Sequence, residues 1–405
     1  MSALRVHLRV DNSRTIYVGD LELIDGKIYF QYAQEYLDTE ENLSPFKMQF
    51  KKIAQTPANP RINFGLNGVF YDSLPDGWGL LLMSRYLKSQ GQAFQSHTGI
   101  DLLGLLGSNG MGALSYEPER MDWSNSHLDI LNYWQESQKV IAGEASDVLP
   151  QLMMDGGSPG GARPKAIIHI NKNQGDILFG HQNPPKGYEK WLIKFPAKND
   201  ALDSGIAEHH ILELAKKVGI ESEPSRLLSD GEGHSFFATK CFDRGPKGEF
   251  YHMHSVAGLL EVDFRSPALD YVELMKICHT ITKGRKPELL KLFRLMIFNV
   301  VIGNRDDHSK NFCFLLKDGI WTTSPAYDIT FQYGLNGHHF TSVNGKGADI
   351  DKSDIHAVGR PYFTLREISE EIERVLELQA YMKNQGEAWP EEIAGHVDKT
   401  VSRLR

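Results

Sequence analysis

The chain has 405 residues, of which 41% are hydrophobic and 24% charged, with a formal net charge of -8. This is the composition of a globular protein with room for two or three domains, and the acidic excess excludes a broad basic surface that would hold DNA or an anionic membrane unaided. The three cysteines, Cys241, Cys278 and Cys313, lack CxxC spacing, which suggests neither a disulfide framework nor a zinc site and fits a reducing compartment.

The opening stretch "MSALRVHLRVDNS" alternates Leu4, Val6, Leu8 and Val10, predicting a strand and lacking the apolar core of a signal peptide. No apolar run reaches membrane-spanning length, since "LFRLMIFNVVIG" is short and carries Arg294. A cytoplasmic location without membrane contact is therefore expected. In "LELIDGKIYFQY" the pair Asp25 and Gly26 separates two β-prone runs, a hairpin signal. "FYDSLPDGWGLLLMSRYL" reads as a turn followed by a helix, and "GMGALSYEPE" as a short strand. Residues 1–120 thus form a strand-rich subdomain with helical inserts, and no catalytic cluster is visible in them.

From 121 to 250, short strands alternate with turns: "PKAIIHI", "KWLIKF" and "SFFATKCF". One amphipathic helix interrupts them, "SGIAEHHILELAKKVGI", with Ala207, Ile211, Leu214 and Val218 at helical spacing, Ser204 as N-cap and Gly219 as C-cap. Residues 251–405 read as mainly helical, as in "PELLKLFRLMIFNVVI" and in "TLREISEEIERVLELQAYM", where Thr364 and Glu367 have capping-box spacing. The exception is "FCFLLKDGIWTTS", whose strand-like runs flank Asp318 and Gly319. The fold class is α+β.

The run "GNRDDHSKN", Gly303 to Asn311, places Asp306 five residues before Asn311. That is the offset of the protein-kinase catalytic loop, where the Asp accepts the substrate hydroxyl proton and the Asn holds a metal, and it selects Asp306 over Asp307. Taken alone, the run also fits a solvated loop after a buried helix. If Asp318 and Gly319 make the turn, residue 317 faces 320, and continuing the ladder puts 311 opposite 326 and 309 opposite 328. Asn311 and Asp328 then meet at the open end of the ribbon, an amide oxygen and a carboxylate suited to Mg²⁺ with phosphate oxygens completing its shell.

Upstream, "DGGSPGGARPK" (155–165) sets Gly157, Gly160 and Gly161 around Ser158, just before a predicted strand. Glycines there let the backbone approach an anion and offer N–H groups to phosphate oxygens, although the run is neither a Walker A motif nor the usual kinase G-x-G-x-x-G, and a flexible surface loop is the alternative. In "KWLIKFP", alternation puts Trp191, Ile193 and Phe195 on one strand face and Leu192 and Lys194 on the other. Lys194 could snorkel to solvent or reach nucleotide phosphates as the strand lysine of kinases does, held by Glu208 or Glu213 of the following helix. The order of these pieces decides. A glycine loop, a strand lysine, a helix glutamate, an Asp-x4-Asn loop and a later Asp follow one another as in a bilobal protein-kinase-like fold, with a glycine-loop N-lobe at 121–250 and a helical C-lobe at 251–405.

Here the chain resembles the HipA-type serine/threonine kinase toxins of bacterial toxin–antitoxin systems. The matching segments are "GGSPGGARPKA", "WLIKFP", "FDR" at 242–244, "GNRDDHSKN" and "SPAYDIT", with "FYDSLPDGWG" and "GMGALSYEPE" similar to the family's N-terminal subdomain. The resemblance implies Asp306 as catalytic base, Asn311 and Asp328 as Mg²⁺ ligands and Lys194 as the ATP-phosphate contact. It further implies a phosphate cradle from Gly157 to Lys165, Lys240 to Phe242 against the adenine, and His308 supporting the loop at the nucleotide. Ser158 falls where family members carry an autophosphorylated serine. The implied cofactors are ATP and Mg²⁺, the implied substrate is a protein serine (aminoacyl-tRNA synthetases form the substrate class of studied relatives), and the implied partner is a HipB-like DNA-binding antitoxin through which alone DNA would be met. The chain departs from the pattern at Pro159, which restricts a loop that a regulatory role needs mobile, and at Lys240, whose basic side chain leaves only its backbone for the adenine.

Two other classes compete. In a metal-dependent hydrolase "DDH" and Asp328 would gather a metal, but the glycine loop and Lys194 would have no role. A non-catalytic kinase-like binding module would have no need of Asp306, Asn311, Asp328 and Lys194 together. His252, His254, His338 and His339 read as ordinary core or surface histidines, because no Cys or acidic partner stands at ligand spacing.

Overall fold

Asp25 and Gly26 have φ of 50° and 76°, the pair of positive values that a two-residue hairpin turn requires. They join β2 (Thr15–Ile24) to β3 (Lys27–Tyr32), and β1 (Ala3–Arg9) pairs antiparallel with both β2 and β4 (Leu114–Glu117), giving the order β3-β2-β1-β4. The computed structural model describes residues 3–121, 128–157, 160–180, 184–197, 204–384 and 389–405.

A second sheet follows: β5 (Lys165–Asn171), β6 (Ile177–Phe179), β7 (Tyr188–Lys194), β8 (Ser225–Ser229) and β9 (Ser235–Lys240), in the order β6-β5-β7-β9-β8. Three strands form the last, β10 (His252–Ser255), β11 (Cys313–Lys317) and β12 (Ile320–Thr323), with Lys317 opposite Ile320 as the Asp318–Gly319 turn predicts. The first two sheets share one apolar core running from Leu4 through Trp78 and Tyr133 to Trp191 and Phe236. Tyr133, from helix Ile130–Ala142, stacks on Phe195 at 5.2 Å and Phe179 at 5.6 Å, closing the layer.

The second core is built on helix Lys286–Ile302, whose apolar residues meet helices Tyr271–Ile281, Leu365–Leu376 and Glu391–Leu404. Arg294 of this greasy helix is tied down: its guanidinium donates to both oxygens of Glu371 at 2.6 and 2.9 Å and to Gly219 O. The Thr364–Glu367 capping box is present, with Thr364 Oγ1 accepting from Glu367 N.

Helix Leu149–Gly156, directly before the glycine loop, is absent from the sequence reading. Its shortness and the proline at its start hide the period that marks a helix, and packing rather than propensity holds so short a helix. Among the described residues, no helix is long and apolar enough to cross a membrane.

Candidate active site

Strand β7 ends at Lys194, on the face opposite the buried Trp191 and Ile193. Its ammonium donates to Glu208 Oε1 at 2.5 Å and to Asp328 Oδ1, joining the five-stranded sheet, helix Ser204–Lys217 and the segment after β12. Glu208 shares a helix face with buried Ile211, Leu212 and Ala215. Glu213 faces away, binding Lys216 at 2.6 Å and Ser225 Oγ at 3.2 Å, so the choice the sequence left open falls on Glu208.

Burial opposes the charge on Lys194, but Asp328 and Glu208 outweigh it and its pKa is raised. Lys194 in turn holds Asp328 well below the ordinary carboxylate range, against the effect of burial. Glu208, enclosed more deeply, is pushed up by burial despite its partner. Asp328 sits at φ 54°, the left-handed region that aspartate tolerates better than most residues.

Helix Lys286–Ile302 stops at Gly303, φ 79°, and the chain turns into the Asp306 loop. The two adjacent acids are sorted by burial. Asp307 is buried, its carboxylate accepting from Tyr271 OH at 3.0 Å, Phe340 N at 2.9 Å and Thr341 N at 3.2 Å, with His339 Nδ1 at 3.2 Å. Asp306 is exposed. Loss of hydration against the cleft wall raises its pKa, and the negative charges of Asp328 and Asp307 add to this while His308 and Arg163 oppose it. The imidazole of His308 lies between the rings of Phe264 (5.2 Å) and Phe340 (5.9 Å), and its Nδ1 has no hydrogen-bond partner among the described residues. Asn311 donates through Nδ2 to Asp306 O at 2.8 Å, bracing the loop across the five-residue offset.

One sequence expectation fails here. The β11–β12 ladder does not continue to 311 opposite 326. It ends where Ser324 N donates to Cys313 O at 2.9 Å; Ser309–Asn311 coil into a 3₁₀ turn, and Ala326 bridges to Ser222 instead. A partner from a different part of the chain has displaced the local extrapolation. Asp328 is brought to the cleft by Lys194 rather than by pairing with residue 309.

In the glycine loop, Gly157 caps helix Leu149–Gly156, and Gly161 has φ 102°, a backbone conformation that residues with a side chain rarely adopt. Lys165 is buried, its ammonium donates to Gly160 O, and burial together with the Lys194 cation pushes its pKa down to about 8. Ser158 and Pro159 lie outside the described residues. On the other wall, Lys240 ends β9 with Nζ 2.8 Å from Glu189 Oε1, so its side chain is engaged along the sheet. The Phe242 ring packs on Tyr327 at 5.1 Å, next to Asp328.

The subdomain formed by the first sheet enters the site as well. Asp76 is buried, accepts from Gly161 N and lies 3.2 Å from Lys310 Nζ. Nothing local marks Asp76 in the sequence, where it is one turn residue in "SLPDGWG". The histidines His252 and His254 are buried and hydrogen-bonded, His252 Nε2 with Leu43 O at 2.9 Å and His254 Nδ1 with Asp72 Oδ2 at 2.6 Å.

Lys194 favours the charged form of Asp328, and the amide of Asn311, donating through nitrogen, keeps an acceptor oxygen; a carboxylate and an amide oxygen are the kinds of donor that a hard cation such as Mg²⁺ takes.

The pattern for the HipA-like C-terminal domain matches residues 157–387, and that for the HipA N-terminal domain matches 12–117. The chain belongs to the HipA family. Two Sinorhizobium fredii proteins whose names carry the word kinase are similar to it: Y4mE, 23% identical over 75% of this chain and 72% of its own length, and Y4dM, 23% identical over 80% and 76%. The HipA chain in a structure of the Shewanella oneidensis toxin–antitoxin system HipA, HipB and operator DNA superposes with a TM-score of 0.69 at 15% identity, covering 99% of this chain and 95% of that one. At that identity the likeness establishes the fold, a mixed helix-and-sheet fold of the HipA kind.

Proposed function

We propose that this HipA-family chain is a serine/threonine protein kinase, transferring the γ-phosphoryl group of ATP to a protein serine with Asp306 as the base. The observation that carries this reading is the convergence of Lys194, Glu208 and Asp328 in one ion-paired cluster, close enough for the Asp328 charge to raise the basicity of Asp306.

Mg²⁺ and ATP, when bound, supply the activated phosphoryl group and neutralise its charge. The residues of the chain do the rest. Lys194 and Lys165 would counter the phosphate oxygens, Asn311 and Asp328 would hold the cation, and Phe242 with the backbone of Lys240 would face the base. A carboxylate with a raised pKa accepts a hydroxyl proton more readily than an ordinary aspartate, and exposure of Asp306 leaves a serine of another protein free to approach it. Asp307, which a metal-dependent hydrolase built on "DDH" would need as a ligand, is occupied by its hydrogen-bond donors.

By likeness to the HipA of the complex with HipB and DNA, the chain acts as the toxin of a cytoplasmic toxin–antitoxin pair and is restrained by a HipB-like antitoxin that makes the DNA contacts. Ser158 is proposed as an autophosphorylation site on the same basis. The test is thermal melting with and without Mg²⁺ and ATP, because a ligand that binds only the folded state raises the melting temperature. A rise that needs both agrees with the proposal, and no rise at millimolar nucleotide contradicts it.

A further inference from the structure

Three parts of the proposed site come from distant stretches of sequence: the glycine loop, the Asp306–Asn311 loop and the segment ending in Asp328. One carboxylate from the N-terminal subdomain touches the first two. Gly161 N donates to Asp76 Oδ1, while Lys310 Nζ lies 3.2 Å from Asp76 Oδ2, so each oxygen serves a different loop. Asp76 is buried and Lys310 nearly so, with side-chain exposures of 6% and 11%. A buried ion pair of this kind holds a fixed geometry because releasing either partner leaves an uncompensated charge.

The contacts continue in both directions. Trp78 N donates to Gly161 O at 2.9 Å and Trp78 Nε1 to Lys165 O at 3.1 Å, so the same turn of the N-terminal subdomain grips the second half of the loop at two points. The Lys310 ammonium is roofed by the rings of Tyr71 at 4.8 Å and Phe264 at 5.1 Å, and Lys310 O accepts from Tyr327 OH at 2.6 Å, one residue before Asp328. Lys310 is therefore turned away from the reaction and anchored.

We propose that Asp76 is a positioning residue that clamps the glycine loop to the catalytic loop, making the N-terminal subdomain part of the kinase machinery. This rests on the kinase reading of the site. Its physical content is that the phosphate cradle and the base share one support: loosening that support misplaces both at once. Neutralising Asp76 removes the Lys310 partner and weakens the hold on Gly161; neutralising Lys310 cuts the same link from the other side.

The experiment uses the full chain as Asp76→Asn, Lys310→Met and the double variant, with Lys310→Arg to restore the charge. In nucleotide-free protein, amide hydrogen exchange of peptides spanning 160–165 and 303–312 should quicken together in Asp76→Asn and in Lys310→Met, while the β1–β4 sheet keeps its protection. In phosphoryl transfer, Asp76→Asn should lower kcat roughly 10- to 100-fold and also raise the KM for ATP, because a misplaced loop spoils both steps. A change that only unfolded a fraction of the molecules would lower kcat and leave KM unaltered. The double variant should be no worse than the more impaired single one, and Lys310→Arg should recover most of the activity. Unchanged exchange in either loop, additive losses, or an unaltered KM would overturn the proposal. If the wild-type chain transfers no phosphate, the kinase reading fails, and the exchange measurement still decides whether the clamp exists.

Discussion

Lys194 Nζ lies 2.5 Å from Glu208 Oε1, and both side chains are almost enclosed, with 13% and 5% of their surface exposed. Removing the lysine leaves a buried carboxylate without its cation. Lys194→Met should therefore abolish phosphoryl transfer and also cost about 3 kcal/mol of stability at neutral pH. The cost should shrink on acidification, because burial already raises the pKa of Glu208 and protonation relieves the stranded charge. Denaturant titrations at two pH values check this, and an equal loss at both would contradict it.

Asp306→Asn removes a proton acceptor while leaving the nucleotide contacts in place. The expected outcome is a loss of about 100-fold or more in kcat with little change in Mg-ATP affinity. In the wild-type chain the acid limb of the pH profile should stand above the ordinary aspartate value of 3.8, since activity needs the ionised carboxylate and its pKa is raised. Steady-state rates across pH measure both.

Asp328→Asn should weaken nucleotide binding chiefly when Mg²⁺ is present, because the side chain loses the charge that a hard cation prefers. Titration of ATP with Mg²⁺ and with a chelator separates the cases. Equal weakening under both conditions would assign Asp328 to Lys194 alone.

Burial and the neighbouring Lys194 lower the pKa of Lys165 to about 8. Phosphate oxygens favour its charged form, so ATP binding should take up a proton as pH rises through about 8 and affinity should fall over that range. Below it Lys165 is already charged and no uptake is expected. Calorimetry in two buffers of different ionisation enthalpy reads the proton directly.

What was legible in the sequence was mostly local. Asp25–Gly26 and Asp318–Gly319 mark their hairpins, Thr364 with Glu367 marks a helix start, and alternation along β7 puts Lys194 opposite Trp191 and Ile193. Helical phase even carried the answer to Glu208 against Glu213, since Glu208 stands three and four residues before Ile211 and Leu212. The rest depends on partners far apart in the chain. The bridge from Ala326 to Ser222 ends the ladder that local pairing would have continued, and the five-residue offset, which selects Asp306, does not announce the burial of Asp307 against Tyr271, Phe340 and Thr341. Asp76 meets Gly161 across 85 residues, a contact that neither periodicity nor turn chemistry announces.

The most direct measurement is the transfer of labelled γ-phosphate from ATP by the wild-type chain and by Asp306→Asn, the variant purified without an active copy and both incubated with Mg²⁺, followed by peptide mass spectrometry. Phosphate is expected on Ser158 of the wild-type chain and none on the variant, with weaker nucleotide binding by the modified form, because a phosphate adding about -1.5 to -2 charges repels those of ATP. Equal labelling of both chains, or none in the wild type together with none on any protein of a bacterial lysate, would contradict the kinase reading with Asp306 as its base.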